Sequence, residues 1–388
     1  MPRRVLVISF HNYRSDPRAR RLAEALVGRG DRVDVLCLRE QGLPKELHGV
    51  RLVPIARRRF TSGLARLALE YVRFTIVATI VACVRHLRYR YDVVHVNTMP
   101  DFLVLAGLIP RWLGARVVLD IHDTFPELLA QRLGVGPRHF LVRLLCWIEV
   151  TAARLAHAVI AVHEPHRQLL IAHGIPAAKI HVVLNLPDER VFPRGSATGT
   201  ANGKVTACYH GTIALRLGLD YLLEAAFELE KMGAPVRLRI LGTGSYAAEL
   251  ASQIAQAGLR DRIEFEPRFV SVEEVVPRIA DCDIGIVPCR QSEVAELMLP
   301  TKLLEYVRLG IPCIAAPTRA ITHYFDDSML AFCRPDDPLE LARMIADLAA
   351  DPDGRRTLAR EADRFNGRYS WPKHKSDYFR VVDGAPAS

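Results

Sequence analysis

The chain has 388 residues, too many for one ordinary core and enough for two domains. Half of the residues are apolar and 24% are charged, a globular composition that excludes a disordered chain. The net charge of +9 is uneven: it is +13 over residues 1–196 and −4 over residues 197–388. An anionic partner is therefore expected at the first half: nucleic acid, phospholipid headgroups or a phosphorylated substrate.

In chain order, Val5–Ser9 has strand length and composition, and Asp16–Gly30 carries helical apolar spacing. Arg32–Leu38 is the next strand. Phe74–Val84 is the longest apolar run, but its eleven residues fall short of the roughly 20 needed to span a bilayer. Strands follow at Val93–Val96 and Val117–Ile121, with a helix Leu103–Leu113 between them. Ala158–Val162 is a strand, His166–Ala172 a helix and His181–Asn185 a strand. Across 187–204 the alternation stops in a stretch rich in Pro, Gly, Ser and Thr, which reads as a linker. It restarts with strands at Thr206–Tyr209, Arg237–Leu241, Ile263–Glu266, Ile284–Val287 and Cys313–Ala315. Helices separate them at Gly218–Lys231, Ala247–Ala257, Ser271–Ile279 and Thr301–Leu309.

This order predicts an α/β fold of two doubly wound, Rossmann-like domains. The expected division is a first domain over 1–190, a linker over 191–204, a second domain over 205–365 and a C-terminal segment over 366–388. Two such halves are expected to face each other across a cleft. Ligands are expected beyond the carboxyl ends of their strands.

Eight cysteines, at 37, 83, 146, 208, 282, 289, 313 and 333, form no CxxC pair and several sit in apolar runs. They read as small buried hydrophobes in a reducing compartment. The four apolar residues after Arg4 do not make a signal-peptide core, so a cytoplasmic location is expected.

The segment Leu299-Pro300-Thr301-Lys302-Leu303-Leu304-Glu305 opens a helix after an extended loop. Free amides in a first helical turn favour an anion. Glu305, one turn in, shares a face with Thr301 and Lys302 and can accept hydrogen bonds from the vicinal hydroxyls of a ribose. Two readings fit this spacing: an ordinary capped surface helix and a nucleotide site.

With Gly310-Ile311-Pro312-Cys313-Ile314-Ala315 closing it, Leu299–Ala315 resembles a signature stretch of glycosyltransferase family 4. Further matches follow the family's order. They are Asp16-Pro17-Arg18, Asp120-Ile121-His122-Asp123, Tyr209-His210-Gly211-Thr212 with Arg216-Leu217-Gly218, Leu241-Gly242-Thr243-Gly244 and Ala280-Asp281-Cys282-Asp283-Ile284. The resemblance spans nearly the whole chain. It implies a retaining, metal-independent enzyme of the GT-B fold that moves a sugar from a nucleotide-sugar donor, UDP- or GDP-linked, to an acceptor. It implies no cofactor, because the nucleotide sugar is a substrate. The implied catalytic residues are His122 over the donor sugar, Arg216 on the pyrophosphate and Glu305 on the ribose. Gly211, Thr212, Leu299, Pro300, Thr301 and Lys302 are implied around the phosphates, and Phe269 and Val270 near the base. The family's lysine before the glycine of this loop is Leu217 here, with Arg216 one residue earlier. Its first glutamate falls at Leu297, which makes Glu296 the candidate for contact with the sugar.

Residues 51–90 hold nine arginines, at 51, 57, 58, 59, 66, 73, 85, 88 and 90, against one acid, Glu70. Apolar residues such as Phe60, Leu69, Phe74 and Ile76 lie between them. The segment fits the surface of an anionic membrane, and it equally fits a helix packed on the core with a solvated basic end. In the first reading the protein is peripheral at the inner face of the plasma membrane and its acceptor is a lipid-linked saccharide of cell-surface polysaccharide assembly. A nucleic-acid partner is not expected, since no reader motif accompanies the arginines. His95, His163 and His166 are dispersed in sequence and read as structural. Rival readings are a non-catalytic sugar-nucleotide binder, a nucleotide-sugar epimerase of the same fold, and, from Gly242-Thr243-Gly244, an NAD-dependent oxidoreductase.

Overall fold

Runs of β-branched and aliphatic residues become the central strands of two separate sheets. The computed structural model describes residues 2–57, 63–199 and 204–385. The chain divides into two units, residues 1–185 with 372–388, and residues 186–371.

The first unit carries strands β1 (Arg4–Ile8), β2 (Arg32–Leu38), β3 (Glu46–Leu47), β4 (Val50–Ala56), β5 (Val93–Asn97), β6 (Arg116–Ile121), β7 (Ala158–Ala161) and β8 (Ile180–Val182). Their order in the sheet is β3-β4-β2-β1-β5-β6-β7-β8. Only the short β3 runs antiparallel to its neighbour. The helices are α1 (Pro17–Gly28), α2 (Leu64–Tyr89), α3 (Leu108–Trp112), α4 (Phe125–Leu133), α5 (Phe140–Leu155) and α6 (Glu164–Ala172). Asp16 starts α1 by accepting the amide of Ala19 at 3.0 Å, with Pro17 at the first helical position. β5, β6 and β7 are buried on both faces, as parallel strands covered by helices must be, and even their polar residues His95, Asn97 and Asp120 are buried.

α2 is far longer than the apolar run counted in the sequence. By length and composition, Ala65–Tyr89 is apolar enough to cross a membrane. Its inner face, Tyr71, Phe74, Ala78 and Ala82, is built into the core with Leu6, Val94 and Leu119. Its outer face is also apolar and stands exposed. The region expected as one helix over Leu103–Leu113 is a 3-10 segment, Asp101–Gly107, followed by the short α3. Gly107 lies so close to β6 that a Cβ would stand 3.2 Å from Val117.

The second unit holds β9 (Val205–His210), β10 (Val236–Leu241), β11 (Ile263–Glu266), β12 (Ile284–Val287), β13 (Cys313–Ala315) and β14 (Ala331–Phe332). They form one parallel sheet in the order β11-β10-β9-β12-β13-β14. Its helices are α7 (Leu219–Lys231), α8 (Ala247–Gln256), α9 (Val272–Ile279), α10 (Glu293–Glu296), α11 (Thr301–Leu309), α12 (Arg319–Thr322), α13 (Pro338–Ala350) and α14 (Pro352–Arg368). The stretch read as a linker is hydrogen-bonded to this unit: Gly195 and Ala197 donate to Arg308 O and Leu309 O, and Thr198 to Ala280 O. Residues 200–203 of it lie outside the described residues, as do Arg58, Arg59 and Phe60. The last helix, α15 (Trp371–Asp383), gives its residues from Pro372 onward to the first unit. There the buried Tyr378 hydroxyl meets His95 Nδ1 at 3.0 Å.

Candidate active site

The loops after β9 and β10 are knitted together backbone to backbone. Gly211 N donates to Leu241 O at 2.9 Å and Ile213 N to Thr243 O at 3.0 Å. A Cβ on Gly242 would stand 1.8 Å from Gly211 O, and one on Gly244 2.2 Å from Ile213 O. Only glycine fits at either place, and Gly242 also has φ +136°. The Gly-Thr-Gly turn that suggested a dinucleotide fingerprint is thus explained by loop packing.

α11 is anchored beside these loops by Tyr306. That side chain is fully buried, its hydroxyl donates to Cys208 O at 3.0 Å, and Gly285 leaves room for its ring. The helix starts at Pro300 with no capping side chain. In the first turn Leu303 N donates to Pro300 O at 3.1 Å, and the amides of Thr301 and Lys302 precede the first i to i−4 bond of the helix. Anchoring at Tyr306 fixes the residues on either side of the first turn against the end of β9. Lys302 Nζ lies 3.5 Å from the centroid of the Tyr209 ring and against Gly211. Glu305 Oε2 lies 3.2 Å from His210 Nε2.

The electrostatics follow from this crowding. Burial lowers the ammonium pKa of Lys302 to about 7; Glu305 opposes that shift and Arg216 adds to it. Burial, helped by Lys302, brings His210 down to about 3, so its imidazole is neutral. Tyr209 completes the turn by donating its hydroxyl to Thr212 O at 2.6 Å. Arg216 is exposed, its Nη1 3.7 Å from Met298 Sδ.

The structure thus gathers Gly211, Thr212, Arg216, Lys302 and Glu305 at the carboxyl end of β9. Thr301 is exposed at the same helix start, and Leu299 and Pro300 are half-buried. Glu296 Oε2 accepts the amide of Arg319 at 2.8 Å, at the start of α12. Phe269 and Val270 lie on the loop after the edge strand β11, two strands from β9, with Phe269 62% exposed. Tyr209 and His210 also belong to the cluster. They stood in the quoted motif, and only knowledge of where α11 lands reveals their partners.

In the first unit, the two quoted motifs meet in a buried ion pair. Arg18 Nε and Nη2 reach the two oxygens of Asp120 at 2.8 and 2.9 Å, and Arg18 Nη1 donates to Val183 O. Burial alone would raise the Asp120 pKa, but Arg18 and His95 hold it well below the usual range. Past the end of β6, His122 is half-buried, with Nε2 3.7 Å from Asp123 Oδ2 and its ring 6.2 Å from that of His11. His163 and His166 are adjacent in space, with ring centroids 5.8 Å apart, and His163 Nδ1 accepts the His166 amide at 3.0 Å. Burial, with His163 and His122 nearby, lowers His166 to about 3. Among the described residues no group of three or more His, Cys, Asp or Glu is arranged to hold a metal.

Two parallel α/β domains, the second with a loop-and-helix cluster of cations and one acid beyond its strands, define a GT-B glycosyltransferase. Residues 15–185 match the glycosyl transferase 4-like domain, and residues 204–351 match the glycosyl transferases group 1 family. The chain belongs to these group 1 glycosyltransferases. It is similar to the alpha-D-kanosaminyltransferase of Streptomyces kanamyceticus, 25% identical over 66% of this chain and 67% of that protein. It is also similar to the amylovoran biosynthesis glycosyltransferase of Erwinia amylovora, 24% identical over 46% of this chain and 44% of that one. The chain spans less than half of the latter's length. Among solved structures, Anabaena HepE in complex with UDP and glucose superimposes with a TM-score of 0.74 at 19% identity, covering 98% of this chain and 100% of that one. WaaG, a glycosyltransferase involved in lipopolysaccharide biosynthesis, gives 0.71 at 17%, with 98% and 100% covered.

Proposed function

We propose that the cluster beyond β9 binds the nucleoside diphosphate of a nucleotide-sugar donor, and that the enzyme passes the sugar to a lipid-linked acceptor with retention of configuration. The observation that carries this reading is the convergence of Lys302 on Gly211 and of Glu305 on His210. Lys302, Arg216 and the open amides of α11 supply the positive field that a diphosphate needs. Lys302 does so where water is partly excluded and charge interactions are stronger. As the glycosidic bond breaks, negative charge builds on the leaving phosphate, so the same groups stabilise the transition state more than the ground state. Glu305, beside a neutral imidazole, accepts from the ribose hydroxyls. Cationic side chains here do the work that a divalent ion does in other transferases. In this reading the leaving phosphate also takes the acceptor's proton, on the same face of the sugar.

A UDP-linked donor is favoured over a GDP-linked one by the fold neighbour solved with UDP and glucose. A lipid-linked acceptor in cell-surface polysaccharide assembly, met at the inner face of the membrane by a cytoplasmic protein, is supported by the basic, apolar segment 57–90. Relatives and fold neighbours named for amylovoran and lipopolysaccharide biosynthesis support it as well. The test is a screen of UDP- and GDP-sugars for thermal shift and for nucleotide release with membrane extracts. The anomeric configuration of the product is then read by NMR. Inverted product overturns the retaining mechanism. Isomerised or released sugar without acceptor favours the epimerase instead.

A further inference from the structure

We propose that Arg39, Arg57 and Arg73 form a pocket for the headgroup phosphate of an anionic phospholipid, at the edge of an apolar face that enters the membrane interface. This rests on the membrane reading above and gives it a site.

α2 is apolar on two opposite sides. A surface helix that buries one face ordinarily turns polar residues outward. Here Leu69, Ile76 and Ile80 point outward and are 55–60% exposed. They recur at helical spacing, so they form one stripe. The 3-10 segment Asp101–Gly107 packs between α2 and α5, and beyond it Trp112, Phe140 and Trp147 stand 62–76% exposed. Exposed apolar side chains that include two tryptophans are the composition of a membrane-interface belt, where an amphipathic indole rests at headgroup depth.

The pocket lies where that stripe meets the carboxyl ends of β2 and β4. It is a cavity of about 490 Å³ lined by Arg39, Ile55, Ala56, Arg57, Arg73 and Val77. Arg73 and Val77 are one turn apart on α2, on the flank of the exposed stripe. Arg73 Nη2 bridges Arg57 O at 2.5 Å and Glu70 Oε2 at 2.6 Å, which fixes its guanidinium. Glu70 cancels one of three positive charges. Among the described residues no carboxylate pairs with Arg39 or Arg57, so the cavity stays net positive. Guanidinium groups match phosphate oxygens in pairs, and the apolar floor suits the glycerol and first methylenes of a lipid. Positive charge beside an exposed apolar helix face selects an anionic lipid over a soluble phosphate or an acidic peptide.

Vesicle flotation of the full chain tests this. The vesicles are phosphatidylcholine alone, or with phosphatidylglycerol, or with farnesyl phosphate at matched charge. Arg39→Gln with Arg57→Gln empties the pocket. Arg88→Gln with Arg90→Gln removes the same charge from the far end of α2. The parent is expected to float with phosphatidylglycerol and not with phosphatidylcholine alone. The pocket pair is expected to lose about tenfold more affinity than the control pair, beyond what two equal surface charges contribute. Ile76→Ser with Ile80→Ser, at exposed positions, is expected to weaken binding with both arginine sets intact. Equal losses from the two arginine pairs overturn the pocket while leaving the membrane reading standing. Failure of the parent to float on anionic vesicles overturns both. A pocket-dependent preference for farnesyl phosphate overturns the headgroup assignment and gives the site to the acceptor.

Discussion

Lys302 Nζ sits 3.5 Å from the centroid of the Tyr209 ring, so a cation from the first turn of α11 rests on the penultimate residue of β9. Its pKa has fallen from an ordinary 10.5 to about 7. The unfolded chain therefore holds one more proton than the folded chain between these values, and stability at this site rises with pH across that window. Donor binding runs the other way, because a diphosphate needs the protonated form. UDP affinity is expected to be flat below pH 7 and to fall above it, by up to about tenfold per pH unit. Lys302→Met is expected to raise the melting temperature at pH 7 and to weaken UDP binding roughly tenfold. Calorimetric titration from pH 6 to 9 and thermal melts of both proteins check this. An unchanged pH profile in the variant removes Lys302 from the phosphate site.

His210 is neutral in the folded state because burial has lowered it to about 3. Its ordinary value is 6.5, so the unfolded chain takes up the proton first, and stability falls as pH drops below 6.5. His210→Gln is expected to lose that part of the acid sensitivity. It is also expected to raise the donor KM several-fold, to about tenfold, since Glu305 loses its neighbour. A fall in kcat alone, with KM unchanged, contradicts a positioning role.

Arg18 and Asp120 form a pair with side chains 5% and 0% exposed. Removing one partner strands a buried charge, so Arg18→Met is expected to cost roughly 3–5 kcal/mol in urea unfolding. Adding Asp120→Asn is expected to recover part of that loss. The Asp120 carboxyl is held below its ordinary pKa. Its contribution is therefore present above about pH 4 and is lost as pH falls further.

Gly242→Ala places a methyl group 1.8 Å from Gly211 O, so the two loops must part. Loss of both stability and nucleotide binding is expected. Gly367→Ala, inside α14 with nothing within 4 Å, is the contrast. It is expected to add about 0.5–1 kcal/mol of stability without touching binding.

How much of this was legible beforehand varies with the kind of signal. The central strands were readable because runs such as Val5–Ile8 and Ile284–Val287 are apolar on both faces. α2 was underestimated because counting an uninterrupted apolar run stops at Glu70, Arg73 and Arg85. In the helix Glu70 and Arg73 pair with each other, and Arg85 reaches Asp34. β4 was missed because Pro54 breaks the strand pattern, and in the sheet Pro54 sits beside the register shift between Cys37 and Leu38. At the site, Gly211, Lys302 and Glu305 were marked by a motif. The roles of Tyr209 and His210 depend on a contact between segments far apart in sequence, which no local pattern carries. Glu296 stands next to the family's first-glutamate position, and its contact with the Arg319 amide joins segments that no local pattern links.

The central claim is that Glu305 reads the ribose of the donor nucleotide, and the most direct measurement is a binding cycle. UDP and 2′-deoxy-UDP are titrated by calorimetry into the parent and into Glu305→Gln, with GDP and its deoxy form as the second nucleotide. The parent is expected to favour the ribonucleotide by about tenfold, as a hydrogen bond to a charged acceptor provides, and Glu305→Gln to bind both forms alike. A Glu305→Gln protein that discriminates between the two as the parent does contradicts the assignment.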